Sequence, residues 1–175
     1  MDVDWEVEIG GGAPVIEADW PGMADLRRYP ELISEVDEAS AFPPLANLLI
    51  QLNSNESPVW TSKCDLWELE PGGLAVYVDL IPHDENVFSE WRRVEGVCRA
   101  LVRRMAAHDE LESNAAITLV VRQATTEKAD GFGVTAYFSS ETVSAPDAAT
   151  AVSDAMVAFS NAIRGTDPLE DPDQS

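Results

Sequence analysis

Strict alternation constrains this chain most. Six segments place apolar residues at every second position: "VDWEVEI" (3–9), "VIEADW" (15–20), "VWTSKCDLWEL" (59–69), "LAVYVDLI" (74–81), "AAITLVVRQ" (115–123) and "FGVTAYF" (132–138). A period of two is the mark of a strand with two unlike faces. Sorting by parity puts Val3, Trp5 and Val7, then Ile16 and Ala18, on a drier face. Trp60, Cys64 and Leu66, Val76, Val78 and Leu80, Ile117, Leu119 and Val121, and Val134, Ala136 and Phe138 join them. The opposite face collects Asp4, Glu6, Glu8, Glu17, Asp19, Lys63, Asp65, Trp67, Tyr77, Asp79, Arg122 and Tyr137.

Three segments have helical periodicity instead. In "VFSEWRRVEGVCRALVRRMAA" (87–107), Phe88, Trp91, Val94, Cys98, Leu101 and Met105 fall on one stripe, with Asp84 or Asn86 placed to cap its start. "PPLANLLIQLN" (43–53) puts Leu45, Leu48, Leu49 and Leu52 on one side, behind an insert broken near Pro30. "SAPDAATAVSDAMVAFSNAIRG" (144–165) has Ser144 in a capping position and Ala148, Val152, Ala155, Phe159 and Ile163 on its inner face.

Glycine, proline or polar turn residues separate the strands within each pair, as hairpins require. The order strand, strand, helix recurs three times. The expected fold is therefore α+β: a two-layer sandwich, its sheet about six-stranded and mainly antiparallel, built from three ββα units with the helices on one face. A single domain over 1–164 follows from the length, and the acidic, proline-bearing segment 165–175 is expected to be a disordered tail. Strand order is open at this point.

Composition narrows the function. Eleven Lys and Arg stand against 32 Asp and Glu, a formal net charge of -21 at pH 7. Such a field repels phosphate backbones and anionic lipid, so neither nucleic acid nor membrane is an expected partner, whereas a basic protein is. No apolar run approaches a bilayer span, and "MDVDWEVEIG" lacks the basic and apolar regions of a secretory signal. A cytoplasmic location is the expectation, with Cys64 and Cys98 as reduced thiols.

Chemical motifs are sparse. His83, Asp84 and Glu85 lie together, but the chain has two histidines and no metal-ligand spacing, so no metal or other cofactor is expected. Neither cysteine has a histidine at a diagnostic spacing, and phosphate-cradling and nucleophile-elbow patterns are absent, so no catalytic residue is assigned. Five of the 11 basic residues, Arg92, Arg93, Arg99, Arg103 and Arg104, share the 87–107 helix, where a solvated outer face accounts for them.

The wet sheet face remains. Carboxylates alone would be ordinary solvation; Trp67 and Tyr77 add large aromatic area that solvation does not require. The candidate binding residues are Lys63, Asp65, Trp67, Tyr77, Asp79 and Arg122. The functional expectation is an adaptor or inhibitor of the immunity type that presents this acidic-aromatic face to a basic protein. The alternative is an enzyme or small-ligand binder using the same face.

Overall fold

The computed structural model describes residues 1–107 and 114–165. Six strands are present: β1 (Asp2–Glu8), β2 (Val15–Glu17), β3 (Val59–Leu69), β4 (Gly73–Pro82), β5 (Ala115–Thr125) and β6 (Asp130–Ser140). Five α-helices join them: α1 (Asp37–Ala41), α2 (Pro43–Leu52), α3 (Glu85–Phe88), α4 (Trp91–Ala107) and α5 (Ala145–Arg164). The strands form one open sheet in the order β1-β5-β6-β4-β3, with β2 also on β5. The fold is α+β and the sheet mostly antiparallel.

Alternation works as expected on the helix side of β4, β5 and β6, whereas Val7 is exposed and Ile16 and Ala18 pack in a separate cluster. Val76, Val78 and Leu80 of β4 lie in register with Phe138, Ala136 and Val134 of β6, and these with Ile117, Leu119 and Val121 of β5. Against them pack Leu45 and Leu49 of α2, Val94, Cys98 and Leu101 of α4, and Val152 and Phe159 of α5 in one cluster. Phe138 and Phe159 meet edge-on with centroids 5.4 Å apart, an arrangement that suits the charge distribution of aromatic rings. Trp5 and Trp91, placed on the inner side by their periods, are partly buried against this cluster, as is Phe132.

Three expectations need correction. The first pair of strands is not a hairpin. Both β1 and β2 run parallel to β5, one after the other along the same edge, from Asp2↔Ala116 to Glu8↔Arg122 and then from Val15↔Gln123. The segment "GGGAP", with Gly10 and Gly12 at positive φ, therefore detours out of the strand line without reversing it. Only two of the three expected hairpins form, β3–β4 and β5–β6, both antiparallel.

Next, β3 changes parity along its length. Thr61 pairs with Leu80 but Cys64 with Val78, so one extra residue is accommodated between them. This bulge turns Thr61 to the helix side and Trp60 to the other. Trp60 is buried, but in a second cluster with Ile16, Ala18, Ile81, Phe88 and Ala124.

Finally, the long helix expected from Val87 onward is two helices, with Ser89 and Glu90 between α3 and α4. Asp84 caps the first by accepting from Asn86 N–H at 2.8 Å. Ser144 does occupy the position before α5, but its side chain makes no capping bond. Of the segment expected as a tail, all but Gly165 lies outside the described residues.

Candidate functional site

The second cluster gives the face away from the helices its shape. Ser62 Oγ, at the bulge, donates to the carbonyls of Glu17 and Ala18 at 3.1 and 2.7 Å. Ala18 N–H in turn donates to Thr125 O at 2.9 Å. The two outer edges of the sheet thus meet at the end holding Trp60, and the sheet curls around it. Gly131 and Gly133 of β6 make room: a Cβ on Gly131 would lie 2.4 Å from the Phe88 ring, and one on Gly133 only 2.6 Å from Leu80 O and 3.2 Å from Ile16 Cδ1. Arg27 lies over the Trp60 ring at 3.7 Å and is itself fixed by Asp25 at 2.8 Å. That guanidinium holds the Asp25 carboxyl below its ordinary range.

Beyond the curled end all six predicted residues lie on this face or at its bulged edge; Asp65 and Trp67 are exposed there, whereas Ala75, Asp79, Val120 and Thr135 are buried. Register sets them in rows. Asp65, Tyr77, Tyr137, Thr118 and Asp4 occupy one row across β3, β4, β6, β5 and β1. Asp79, Thr135, Val120 and Glu6 form the next. Trp67 sits beyond, opposite Ala75. The rings form a run: Trp67 to Tyr77 at 6.3 Å, Tyr77 to Tyr137 at 6.0 Å, and Arg122 above Tyr137 at 5.7 Å. Trp67 is 39% exposed, large for tryptophan on a sheet. Burial pushes the Tyr77 hydroxyl up to about 12, with Asp79 and Asp65 adding to the shift.

The six residues are not equivalent. Asp65 and Trp67 are exposed and Tyr77 half-buried, so they can meet a partner. Asp79 is 7% exposed and receives a 2.6 Å hydrogen bond from Thr135 Oγ1. Burial raises its pKa; the Thr135 bond, Arg122 and Lys63 oppose this without cancelling it. Arg122 donates to Glu8 at 2.8 and 3.2 Å and to Thr135 Oγ1 at 3.3 Å. A polar chain, Glu8–Arg122–Thr135–Asp79, therefore crosses β1, β5, β6 and β4. Lys63 is paired at 3.4 Å with Glu17 and lies 5.9 Å from the Trp20 ring.

The candidate set omitted Tyr137, Thr135 and Glu8. Parity already placed Glu8 and Tyr137 on the wet face, and Thr135 shares Tyr137's parity on β6. Joining them to Arg122, Tyr77 and Asp79 needed the strand order.

Beside Tyr77, at the β3 edge, a cleft of about 330 Å³ is lined by Trp20, Lys63, Cys64, Thr61 and Glu38 among others. Trp20 Nε1 is buried without a hydrogen-bond partner. Burial, with Glu38, Asp65 and Asp79 adding, raises the Cys64 thiol to about 12. Among the described residues no group of three His, Cys, Asp or Glu side chains is placed to hold a metal, and no helix is long and apolar enough to cross a membrane.

Comparison with known proteins finds no matching family, curated protein or solved structure. What can be said of class comes from the molecule itself: an α+β protein with a six-stranded, mostly antiparallel open sheet and several helices.

Proposed function

We propose that this protein is a binding module, an adaptor or inhibitor of the immunity type, and that its acidic-aromatic sheet face receives a basic protein partner. The observation that carries the reading is the run Trp67–Tyr77–Tyr137 on the face away from the helices, flanked by Asp65 on one side and by Asp4 and Glu6 on the other. Aromatic area at the centre with charge around it is how protein interfaces divide their work: rings supply affinity, rim charges steer. The net charge of -21 favours a cationic counterpart. Trp67 and Tyr77 are the anchors, Asp65 a steering charge. Asp79, Arg122 and Thr135 hold the floor. The architectural reading that goes with this, a two-layer sandwich of hairpin–helix units, is supported by the order β3–β4–α3–α4 and β5–β6–α5.

The test is capture on the immobilised chain with three baits: the parent, Trp67→Ala and Asp65→Lys. A basic protein identified on the parent and lost from both variants supports the reading; equal capture on all three overturns it. A second reading, a small-ligand binder at the same face, is favoured by the cleft beside Tyr77 and the unpartnered Trp20 N–H. Its mark is a ligand-induced rise in melting temperature that Trp20→Phe removes, with no protein captured.

A further inference from the structure

On the far side of the sheet lies a cavity of about 250 Å³. Leu80, Leu119 and Val134 of the sheet form its floor; Val94, Leu101 and Phe159 of the helices form its roof. Protein interiors pack as densely as organic crystals, and voids much larger than a water molecule are few. An apolar cavity of about 150 Å³ stays dry and admits benzene; this one is larger. Five of its lining residues are valines, where isoleucine or phenylalanine would close the space. Carbon lines it almost throughout. His83 and Asp84, which follow β4, border the cavity but bring almost no polar surface into it. The Asp84 carboxylate already accepts from Asn86 N–H. His83 is exposed; burial of part of its ring and the nearby Arg27 hold it below its ordinary pKa. Its ring already makes a hydrogen bond with the Val59 backbone, so it is not a free anchor for a ligand.

We propose that this cavity is a binding site for a small, neutral, largely apolar molecule with an aliphatic or single-ring aromatic body held between the sheet and α4/α5. A charged body is excluded because nothing inside would solvate it. An anion is further disfavoured by Asp84 at the border of the cavity and by the net charge of -21. The site is separate from the acidic face and does not depend on it.

The probe is 1-octanol, titrated into the full chain carrying 13C-labelled Leu, Val and Ile methyl groups. The expected result is saturable shifts concentrated on Leu80, Leu119 and Val134, with binding of octanoate at neutral pH weaker by about tenfold or more. Val97→Phe fills the space from the half-buried side of α4 and should weaken 1-octanol binding by a similar factor. Should it not fold, Val134→Ile applies the same test with one added methylene. Absence of saturable shifts up to the solubility of 1-octanol overturns the proposal. So do shifts centred on the Trp67–Tyr77 face, octanoate binding as well as the alcohol, or unchanged affinity in a folded filling variant.

Discussion

Removing the Asn53 side chain should destabilise the fold more than any surface substitution, because one amide holds the β3 bulge to α2. Asn53 follows the last residue of α2 and is 6% exposed. Its Nδ2 donates to Leu49 O at 2.8 Å and to Thr61 Oγ1 at 2.7 Å, and its Oδ1 accepts from Thr61 N–H at 3.0 Å. Thr61 is 7% exposed, so its N–H has no ready access to water. Of the three bonds lost in Asn53→Ala, the two to Thr61 have a net value of about 1 kcal/mol each, and stranding a buried N–H costs about 1–3 kcal/mol. Leu49 O keeps the backbone bond from Asn53 N–H and adds nothing to the loss. The expected destabilisation is about 4 kcal/mol, against a total of about 5–15 kcal/mol for a domain.

Thr61→Val is the control. It keeps the branched shape and loses one bond, so its cost should be about 1–2 kcal/mol. The double variant should cost less than the sum, because the two side chains share one interaction. Urea unfolding of the four proteins, followed by tryptophan fluorescence, measures all three quantities. Amide exchange adds a local readout: in Asn53→Ala, Thr61 and its bulge neighbours should exchange faster than the centre of β6. A loss below about 1 kcal/mol, or strict additivity, would refute the reasoning and mean that water replaces the amide.

Three further outcomes are expected. Gly96→Ala should stabilise the chain by about 1 kcal/mol, since a Cβ there meets nothing within 4 Å; an unchanged or lower melting temperature contradicts this. Cys64 and Cys98, both with thiols raised to about 12, chiefly by burial, should resist labelling by a disulfide reagent at neutral pH until denaturant is added; stoichiometric labelling of the native protein counts against the packing described. Asp79, whose pKa burial raises above 3.8, binds its proton more tightly folded than unfolded. Its ionised form therefore costs stability at neutral pH, and that cost should disappear as pH falls through its folded pKa toward 3.8. Relative to Asp79→Asn, the parent should gain stability over this acid range; a relative loss has the wrong sign.

Alternation at single residues makes much of both sheet faces legible in the sequence, because side-chain direction in a strand is local, although Trp60, Ile16 and Ala18 fall on the side opposite to their parity assignment. Hence Val76, Leu119 and Phe138 were assignable to the core, and Asp65, Trp67 and Tyr77 to the other face. Parity is equally blind to anything that breaks it. Nothing in "VWTSKCDLWEL" announces the extra residue near Ser62, because the bulge is set by partners remote in sequence: Asn53 on one side, the Glu17 and Ala18 carbonyls on the other. The glycine run at 10–12 looked like a hairpin turn, since positive φ serves a turn and a detour equally well. Which was meant depended on β5, more than 100 residues away. Site chemistry divides along the same line. Asp79 looked like one more wet carboxylate; what sets it apart is Thr135 on the adjacent strand and Arg122 on the next, a neighbourhood created by strand order. The exposure of Asp65 and Trp67 was therefore readable from their own positions. The residues that hold the face in shape act through contacts across strands, and composition or period alone does not encode those.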